Sequence, residues 1–261
     1  MTDPNVISLR DPQGATATVD LLGARLLSWC PPGAADQLYT RGAERDCTEG
    51  LHGGVPLIFP QFAARGAGPF HGIVKNLKWQ ARMEQAAGVA TLERRCGRTA
   101  WWDHDAQLTL RVALDGATLA LALVVRNVGY RPLTFQAGLH TFLAASVQPT
   151  VRGLEHLHYV DHPGPEDRSL PPQGAPLVAC PPLDRIFPAA PQVVLARADG
   201  ALTIRQHGFA NTIVWRPVDP DTGDGPPFLC IEPAQLADLE LAPGASWTGT
   251  QTLTWLPAAT A

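Results

Sequence analysis

The chain has 261 residues, of which 24 are glycine and 25 are proline, and only 17% are charged. A hydrophobic fraction of 45% argues against disorder, and so many chain-breaking residues favour strands joined by turns over long helices. The net charge of −4 argues against general affinity for nucleic acid or anionic membranes, because such binding requires a basic surface.

Alternation of apolar and polar residues with period two predicts β-strands along much of the chain. In chain order, the candidate strands cover residues 16–22, 25–29, 79–84, 89–94, 105–114, 117–127, 133–138, 192–206, 212–215, 227–232 and 246–255. Asp115-Gly116 predicts a type I′ hairpin turn, and Asp199-Gly200 predicts the turn of a second hairpin within 192–206. Convincing helical periodicity is not found.

Segments rich in proline and glycine at residues 31–54, 163–191 and 217–227 predict surface loops rather than domain linkers, because strand candidates continue on both sides. No internal repeat of about 20–50 residues is visible. We therefore predict an all-β fold in which a single domain, residues 1–261, forms one large antiparallel β-sandwich.

The first ten residues lack the apolar core of a secretory signal, and no run of about 18 apolar residues could span a membrane. The five cysteines are odd in number, widely spaced and free of any CxxC pair, which argues against a disulfide framework or a zinc ribbon. These features predict a soluble protein of the reducing cytoplasm without a nucleic-acid or membrane partner.

Two loop segments carry the first candidate site. His52 precedes Gly53-Gly54 and His71 precedes Gly72, and glycine lets the backbone approach a ligand closely. Prolines stiffen both segments, and polar groups on rigid loops commonly form binding sites. The alternative is a tight loop whose histidines only face solvent.

Two further residues end apolar strand candidates. Glu232 closes the run 227–232, and a buried glutamate is rare unless it is paired or functional. Desolvation would raise the pKa of this carboxyl, as a general base that works near neutrality needs. The alternative is an edge-strand glutamate with its head in water. His140 follows the strand 133–138 and is either a satisfied core histidine or a group that points into a cleft.

Other segments give weaker evidence of function. Taken alone, Asp184-Arg185 is typical of a surface ion pair, and Trp101-Trp102 of a hydrophobic core. The histidines near residue 158 have no third ligand at a convincing spacing and HExxH is absent, so we predict no metal. The absence of GxSxG, P-loop and GxGxxG motifs leaves hydrolase, nucleotide and dinucleotide functions without support.

Taken in order, six segments resemble the aldose 1-epimerase (mutarotase) superfamily, most closely its glucose-6-phosphate 1-epimerase branch. They are GGVPLIFPQF, FHGIVKNLKW, GLHTFLAAS, LDRIF, NTIVWRP and FLCIEP, and they run from Gly53 to Pro233. Each is short, but six in the family's order form a specific signal. The resemblance implies a β-sandwich of the galactose-mutarotase type and an isomerase that interconverts the α and β anomers of an aldose.

The resemblance also implies residue roles. Glu232 aligns with the general base that takes the proton from the anomeric hydroxyl, and His140 with the general acid that protonates the ring oxygen. His71 aligns with a second histidine that contacts the sugar, and Asp184 with an acidic residue that binds sugar hydroxyls. A base and an acid suffice to open a hemiacetal, so we expect no cofactor and no metal.

The phosphate end of the substrate is where this chain departs from that branch. Arginines usually occupy two positions that here hold His52 and Lys75, which predicts a weaker preference for phosphate. We expect both residues, together with Gln61, to bind substrate. Hexose 6-phosphate is the expected substrate; the alternatives are a free aldose, or a carbohydrate-binding β-sandwich without catalysis. The sequence leaves the oligomeric state open.

Overall fold

The computed structural model describes residues 3–40, 53–145, 148–162, 167–219, 221 and 223–258. These residues form three antiparallel sheets and one turn of 3₁₀ helix at Val74–Asn76. In chain order, the strands are β1 (Val6–Arg10), β2 (Thr16–Asp20), β3 (Arg25–Cys30), β4 (Leu57–Ile58), β5 (Gln80–Met83), β6 (Val89–Cys96), β7 (Ala106–Asp115), β8 (Thr118–Asn127), β9 (Leu133–Leu139), β10 (Phe142–Ala144), β11 (Thr150–Arg152), β12 (Tyr159–Asp161), β13 (Arg168–Leu170), β14 (Leu177–Val178), β15 (Leu183–Pro188), β16 (Gln192–Arg197), β17 (Gly200–His207), β18 (Asn211–Arg216), β19 (Phe228–Leu241) and β20 (Ser246–Pro257).

Two large sheets dominate the fold. One has nine strands in the order β14-β11-β16-β17-β20-β8-β7-β6-β5. The other has eight, with the path β13-β12-β15-β18-β19-β9-β4 and β10 paired to β19. The strands β1, β2 and β3 form a smaller third sheet. The large antiparallel sheets confirm the predicted all-β class.

Strict alternation explains why these segments form a sandwich. On β7, Leu108, Leu110 and Val112 are buried, while the residues between them are half-buried or exposed. Their side chains join one hydrophobic cluster to which all three sheets contribute, from Trp29 on β3 to Leu253 on β20. That the chain is a single domain remains a prediction, and this shared core supports it.

The strand candidates were placed correctly, but three local predictions were wrong. In the second predicted hairpin, Arg197 pairs with Gly200, so Ala198 and Asp199 form the loop instead of Asp199 and Gly200. The hairpin between β7 and β8 pairs Asp115 with Thr118, so Gly116 and Ala117 form its loop. Only Gly116 has a positive φ, +53°, which fits a type II′ turn rather than type I′. The segment 163–191 was predicted as a surface loop, yet it contains β13, β14 and β15, whose prolines lie at or beyond strand ends.

Within the described residues, no helix is long and apolar enough to cross a membrane. Four cysteines, Cys30, Cys96, Cys180 and Cys230, are free thiols, and Cys47 lies outside the described part of the chain.

Candidate active site

The two faces of the eight-stranded sheet have different surroundings, because only one of them packs against the main core. On β19, Leu229 and Ile231 point into the main core, so the intervening Cys230 and Glu232 point to the other face. On the neighbouring β18, Val214 belongs to the core in the same way. The second face of this sheet is therefore free to carry a site, and we refer to it as the outer face.

A cavity of about 460 Å³ lies over this outer face. Apolar side chains make up much of its wall, including Trp215, Ile213 and Phe62. Six polar residues line it: Arg65, His71, His140, His162, Asp184 and Glu232. Four of these were predicted from the sequence as site residues, and the fold brings those four together.

Strand register explains how His140 meets Glu232. Gly138 pairs with Ala234 at the end of β9, and Phe142 pairs with Cys230 on β10. Both pairs follow the same antiparallel register, which places His140 directly opposite Glu232 in the short break between β9 and β10. On its other side, this segment stays in register with β4: the His140 amide donates to the Pro56 carbonyl at 3.0 Å, which continues the pairing of Leu57 with Leu139. The register on both sides therefore keeps His140 aligned with Glu232.

The two side chains lie close together but are not hydrogen-bonded. Nδ1 of His140 and Oε1 of Glu232 are 3.5 Å apart, and the side chains are only 8% and 2% exposed. Nδ1 of His140 and Oε2 of Glu232 are buried without any hydrogen-bond partner. Buried polar atoms are rarely left unpaired, so two of them at one cavity indicate a site prepared for a ligand.

Burial sets the protonation of this pair. It raises the pKa of Glu232 well above the usual value, with a further increase from the charge of Asp184, and this confirms the predicted direction. Burial also lowers the pKa of His140, assisted by the positive charge of Lys75. Burial therefore disfavours the charged form of each group.

Aromatic rings fix the orientation of the His140 imidazole. The ring of Phe142 stacks on it at 4.6 Å with an interplanar angle of 11°. Trp215 and His71 contact it edge-on, at centroid distances of 5.7 and 5.4 Å. The imidazole is therefore held in one plane beside Glu232.

His71 occupies an unusual backbone conformation. Its φ is +59°, which is costly for a residue with a Cβ, and such strain is found mainly where function requires it. The Ala63 amide donates to its Nδ1 at 3.2 Å, so the neutral ring carries its proton on Nε2. Burial, and then the charge of Lys75, lower its pKa to about 3. His71 is thus a neutral hydrogen-bond donor at the cavity.

Gln61 holds the loop that carries His71. Its amide nitrogen donates to the Ala63 and Gly68 carbonyls at 2.9 and 3.1 Å, and its Oε1 accepts from the Gly68 amide at 2.8 Å. Gln136 on β9 accepts from the Phe62 amide at 2.8 Å. Gln61 is not among the residues that line the cavity, so its contribution is to position the loop.

Asp184 and two residues that the sequence analysis did not assign form another side of the cavity. Asp184 lies on β15 opposite Trp215, and burial raises the pKa of its carboxyl. The charge of Arg65 acts in the opposite direction, and Arg65 and His162 line the same cavity as Asp184. His162 follows β12, and its amide donates to the Asp184 carbonyl at 2.8 Å.

The remaining two predicted residues differ in position. Lys75 lies in the 3₁₀ turn and is half-buried; it is not among the lining residues, but its charge reaches both His71 and His140. His52 lies outside the described residues. The structure also adds a residue that was not predicted: the thiol of Cys230 lies beside His140 and Glu232, and the three form a set of side chains that could hold a metal ion.

Comparison with known proteins agrees with this geometry. A curated protein from Cenchrus ciliaris, named "putative glucose-6-phosphate 1-epimerase", is 26% identical over 279 aligned residues, covering 96% of this chain and 84% of the relative. A crystal structure of a "putative mutarotase (YeaD)" from Salmonella typhimurium has a TM-score of 0.80 at 23% identity and covers 97% of this chain and 90% of its own. A galactose mutarotase-like protein from Lactobacillus casei has a TM-score of 0.79 at 16% identity, covering 96% and 100% of the two chains, and so shares the predicted fold type. The sequence profile of the aldose 1-epimerase family matches residues 5–254, and the chain therefore belongs to this family of isomerases.

Proposed function

We propose that this protein interconverts the α and β anomers of a hexose by acid–base opening of the ring, with Glu232 and His140 as the catalytic pair. The observation that carries the proposal is their arrangement: two titratable groups, directly opposite on adjacent strands, buried at one cavity, 3.5 Å apart and each with an unpartnered atom. A protein that only bound sugar would need neither the base nor the acid.

The reaction needs one proton removed from the anomeric hydroxyl and one delivered to the ring oxygen. A pair that shares one proton would match this requirement, since one group accepts while the other donates. Sugar hydroxyls that donate hydrogen bonds to Glu232 favour its carboxylate form, and the proton then resides on His140. Glu232 takes the proton from O1, His140 protonates the ring oxygen, and the open chain rotates before the reverse transfers close the other anomer.

Neighbouring residues orient the sugar for these transfers. The neutral His71 donates from Nε2 to a ring substituent, and Asp184 accepts from hydroxyls on the opposite side of the cavity. Trp215 offers an apolar surface for the C–H face of the ring. The cavity combines these polar side chains with apolar ones, as expected for a site that binds a small sugar.

The Glu232→Gln variant tests the proposal. This change keeps the shape of the side chain but removes the base, and losing a positioned general base costs about 10² to 10⁴ in rate. The measurement is polarimetry, or NMR exchange, on a freshly dissolved α-anomer. Turnover by the variant close to that of the unaltered protein would refute the assignment of the base. Saturable sugar binding with no rate enhancement by the unaltered protein would favour the carbohydrate-binding alternative.

We further propose a hexose 6-phosphate as substrate, with Arg65 rather than Lys75 as the residue that contacts the phosphate. Arg65 lines the cavity, whereas Lys75 does not, although its charge acts on His71. A guanidinium binds phosphate through paired hydrogen bonds, and the exposed side chain of Arg65 can follow the phosphate at the cavity mouth. The name of the relative from Cenchrus ciliaris agrees with this substrate.

The substrate proposal is tested by comparing kcat/KM for glucose and glucose 6-phosphate. A hydrogen bond to a charged group contributes about 1.5–3 kcal/mol, so Arg65→Ala should reduce the preference for phosphate by roughly 10- to 100-fold. Lys75→Ala is the control, and it should change this preference less while altering the rate with both sugars. If Lys75→Ala removes the preference and Arg65→Ala does not, the phosphate is held at the 3₁₀ turn instead.

A further inference from the structure

A thiol lies beside the catalytic pair and takes no part in the proposed reaction. Cys230 and Glu232 are two residues apart on β19, so they share the outer face of the sheet. His140 is opposite Glu232, and one donor atom from each of the three residues lies within 4.8 Å of the other two. All three residues are buried, with Cys230 at 0%, Glu232 at 2% and His140 at 6% exposure.

The spacing of these atoms is close to that of a tetrahedral metal site. Zinc binds imidazole nitrogen and carboxylate oxygen at about 2.0–2.2 Å and thiolate sulfur at about 2.3 Å, which places neighbouring ligand atoms roughly 3.4–3.6 Å apart. The separation of 3.5 Å between Nδ1 of His140 and Oε1 of Glu232 already meets this requirement. The thiol sulfur lies within 4.8 Å of both other donor atoms, so it has to approach by at most about 1.2 Å, a shift that rotation about a side-chain bond can supply.

The ligand atoms are also available. Nδ1 of His140 has no hydrogen-bond partner, so a metal would replace no existing hydrogen bond there. Oε2 of Glu232, the second oxygen of the same carboxyl, also has none. The mixture of nitrogen, sulfur and oxygen donors selects among cations. Calcium and magnesium prefer oxygen ligands alone, whereas zinc and its chemical analogues accept all three donor types.

We propose that His140, Cys230 and Glu232 form a binding site for a thiophilic divalent metal such as Zn²⁺, and that the bound metal inhibits the enzyme. On binding, the thiol and the carboxyl release their protons to water, and metal–ligand bonds form at Sγ, Nδ1 and a carboxylate oxygen. Binding of the metal rests on geometry alone; inhibition also rests on the proposed function, because the metal takes the two groups that move protons. Sugar and metal should therefore exclude each other.

The experiment uses Co²⁺ as a spectroscopic substitute for zinc. We expect the full-length protein to develop a thiolate-to-cobalt charge-transfer band that saturates at one metal per chain and disappears when Zn²⁺ is added. Cys230→Ala should abolish the band. Cys96→Ala is the matched control, because Cys96 is also a buried free thiol, at 1% exposure, but lies on β6 in the other large sheet. This control should keep the band, and thermal unfolding confirms that each variant is folded.

Further measurements keep the proposal testable if Cys230→Ala does not fold. Glu232→Gln should bind Co²⁺ at least about tenfold more weakly, and a saturating sugar should raise the apparent Kd of the metal for the unaltered protein. The absence of a thiolate band in the unaltered protein would overturn the metal site, and so would its persistence in folded Cys230→Ala or its loss from folded Cys96→Ala.

Measurements of epimerase activity distinguish a failure of the metal-site proposal from a failure of the proposed function. Zn²⁺ should suppress anomer exchange, and a chelator should restore it. A thiolate band in a protein without epimerase activity would support the metal site and refute the proposed function. An enzyme that stays fully active with the site saturated by metal would refute the inhibition.

Discussion

Replacing Gln61 by alanine separates the role of the site loop from that of the proposed catalytic pair. The side chain, only 4% exposed, makes three good hydrogen bonds to the backbone of residues 63 and 68. A neutral hydrogen bond contributes about 1 kcal/mol net, so Gln61→Ala removes about 3 kcal/mol of support from this loop. The loop carries His71 and Arg65, and both should lose their fixed positions at the cavity.

Asn127→Ala provides a matched control. Asn127 is 1% exposed, donates to the carbonyls of Arg131 and Leu241 at 2.7 and 2.9 Å, and accepts from the Gly129 amide at 2.9 Å. Its three hydrogen bonds thus match the three shorter ones of Gln61, and Asn127 lies at the end of β8, away from the residues that line the cavity. The two alanine variants should lose similar stability and differ in activity.

The assay measures thermal unfolding and kcat/KM on both variants. For a domain of this size, each kcal/mol shifts Tm by about 2–4 °C, so both variants should unfold roughly 6–12 °C below the unaltered protein. Since 1.4 kcal/mol corresponds to a factor of ten, we expect kcat/KM to fall at least about tenfold in Gln61→Ala and by less than about twofold in Asn127→Ala. Equal kcat/KM values in the two variants would show that the loop does not need Gln61 for catalysis.

Two comparisons address the rest of the site. His140→Asn should reduce kcat by about 10² to 10⁴, because it removes the proposed acid. His71→Asn should mainly raise KM, because asparagine tolerates the left-handed backbone at residue 71 and only a positioning contact is lost. A larger loss of kcat in His71→Asn than in His140→Asn would exchange the two roles. Gly72→Ala should lower the free energy of unfolding by about 1–3 kcal/mol more than Gly14→Ala, as measured by denaturant unfolding. Both glycines have a positive φ, but only a Cβ at Gly72 would collide with the Phe59 carbonyl. Equal losses of stability would show that the backbone around residue 59 can move to accommodate the Cβ.

Local patterns were sufficient to predict most of the long strands. The strands β7 and β8 alternate without interruption, so period two identifies them directly. The strand β15 was missed because prolines surround it, and the short strands β4 and β10 offer too few residues for a pattern. These strands exist because neighbours in the sheet accept their hydrogen bonds, a property that no local pattern contains.

Four residues of the candidate site could be predicted individually from the sequence, but their arrangement in space could not. The motifs pointed to His140 and Glu232, yet only the shared register of β9, β10 and β19 shows that residues so far apart in sequence are direct neighbours. Cys230 lies inside one of the recognised motifs, but no role was predicted for it. Its position next to Glu232 on the same face of β19 becomes informative only when His140 is known to lie opposite. Arg65 and His162 lie on segments whose course depends on tertiary contacts, so alternation could not reveal them.

The unbroken register across the gap between β9 and β10 has a consequence for how this family can diversify. The proposed acid and base are spaced by neighbouring strands, so their separation follows from the architecture of the sheet and not from any loop. Arg65 and His162, which also line the cavity, belong to connecting segments. We therefore expect these segments to change in length or sequence without moving the pair, and substrate preference to change with them. Slippage of β19 by one residue, in contrast, would turn Glu232 into the core and remove the proposed base from the cavity.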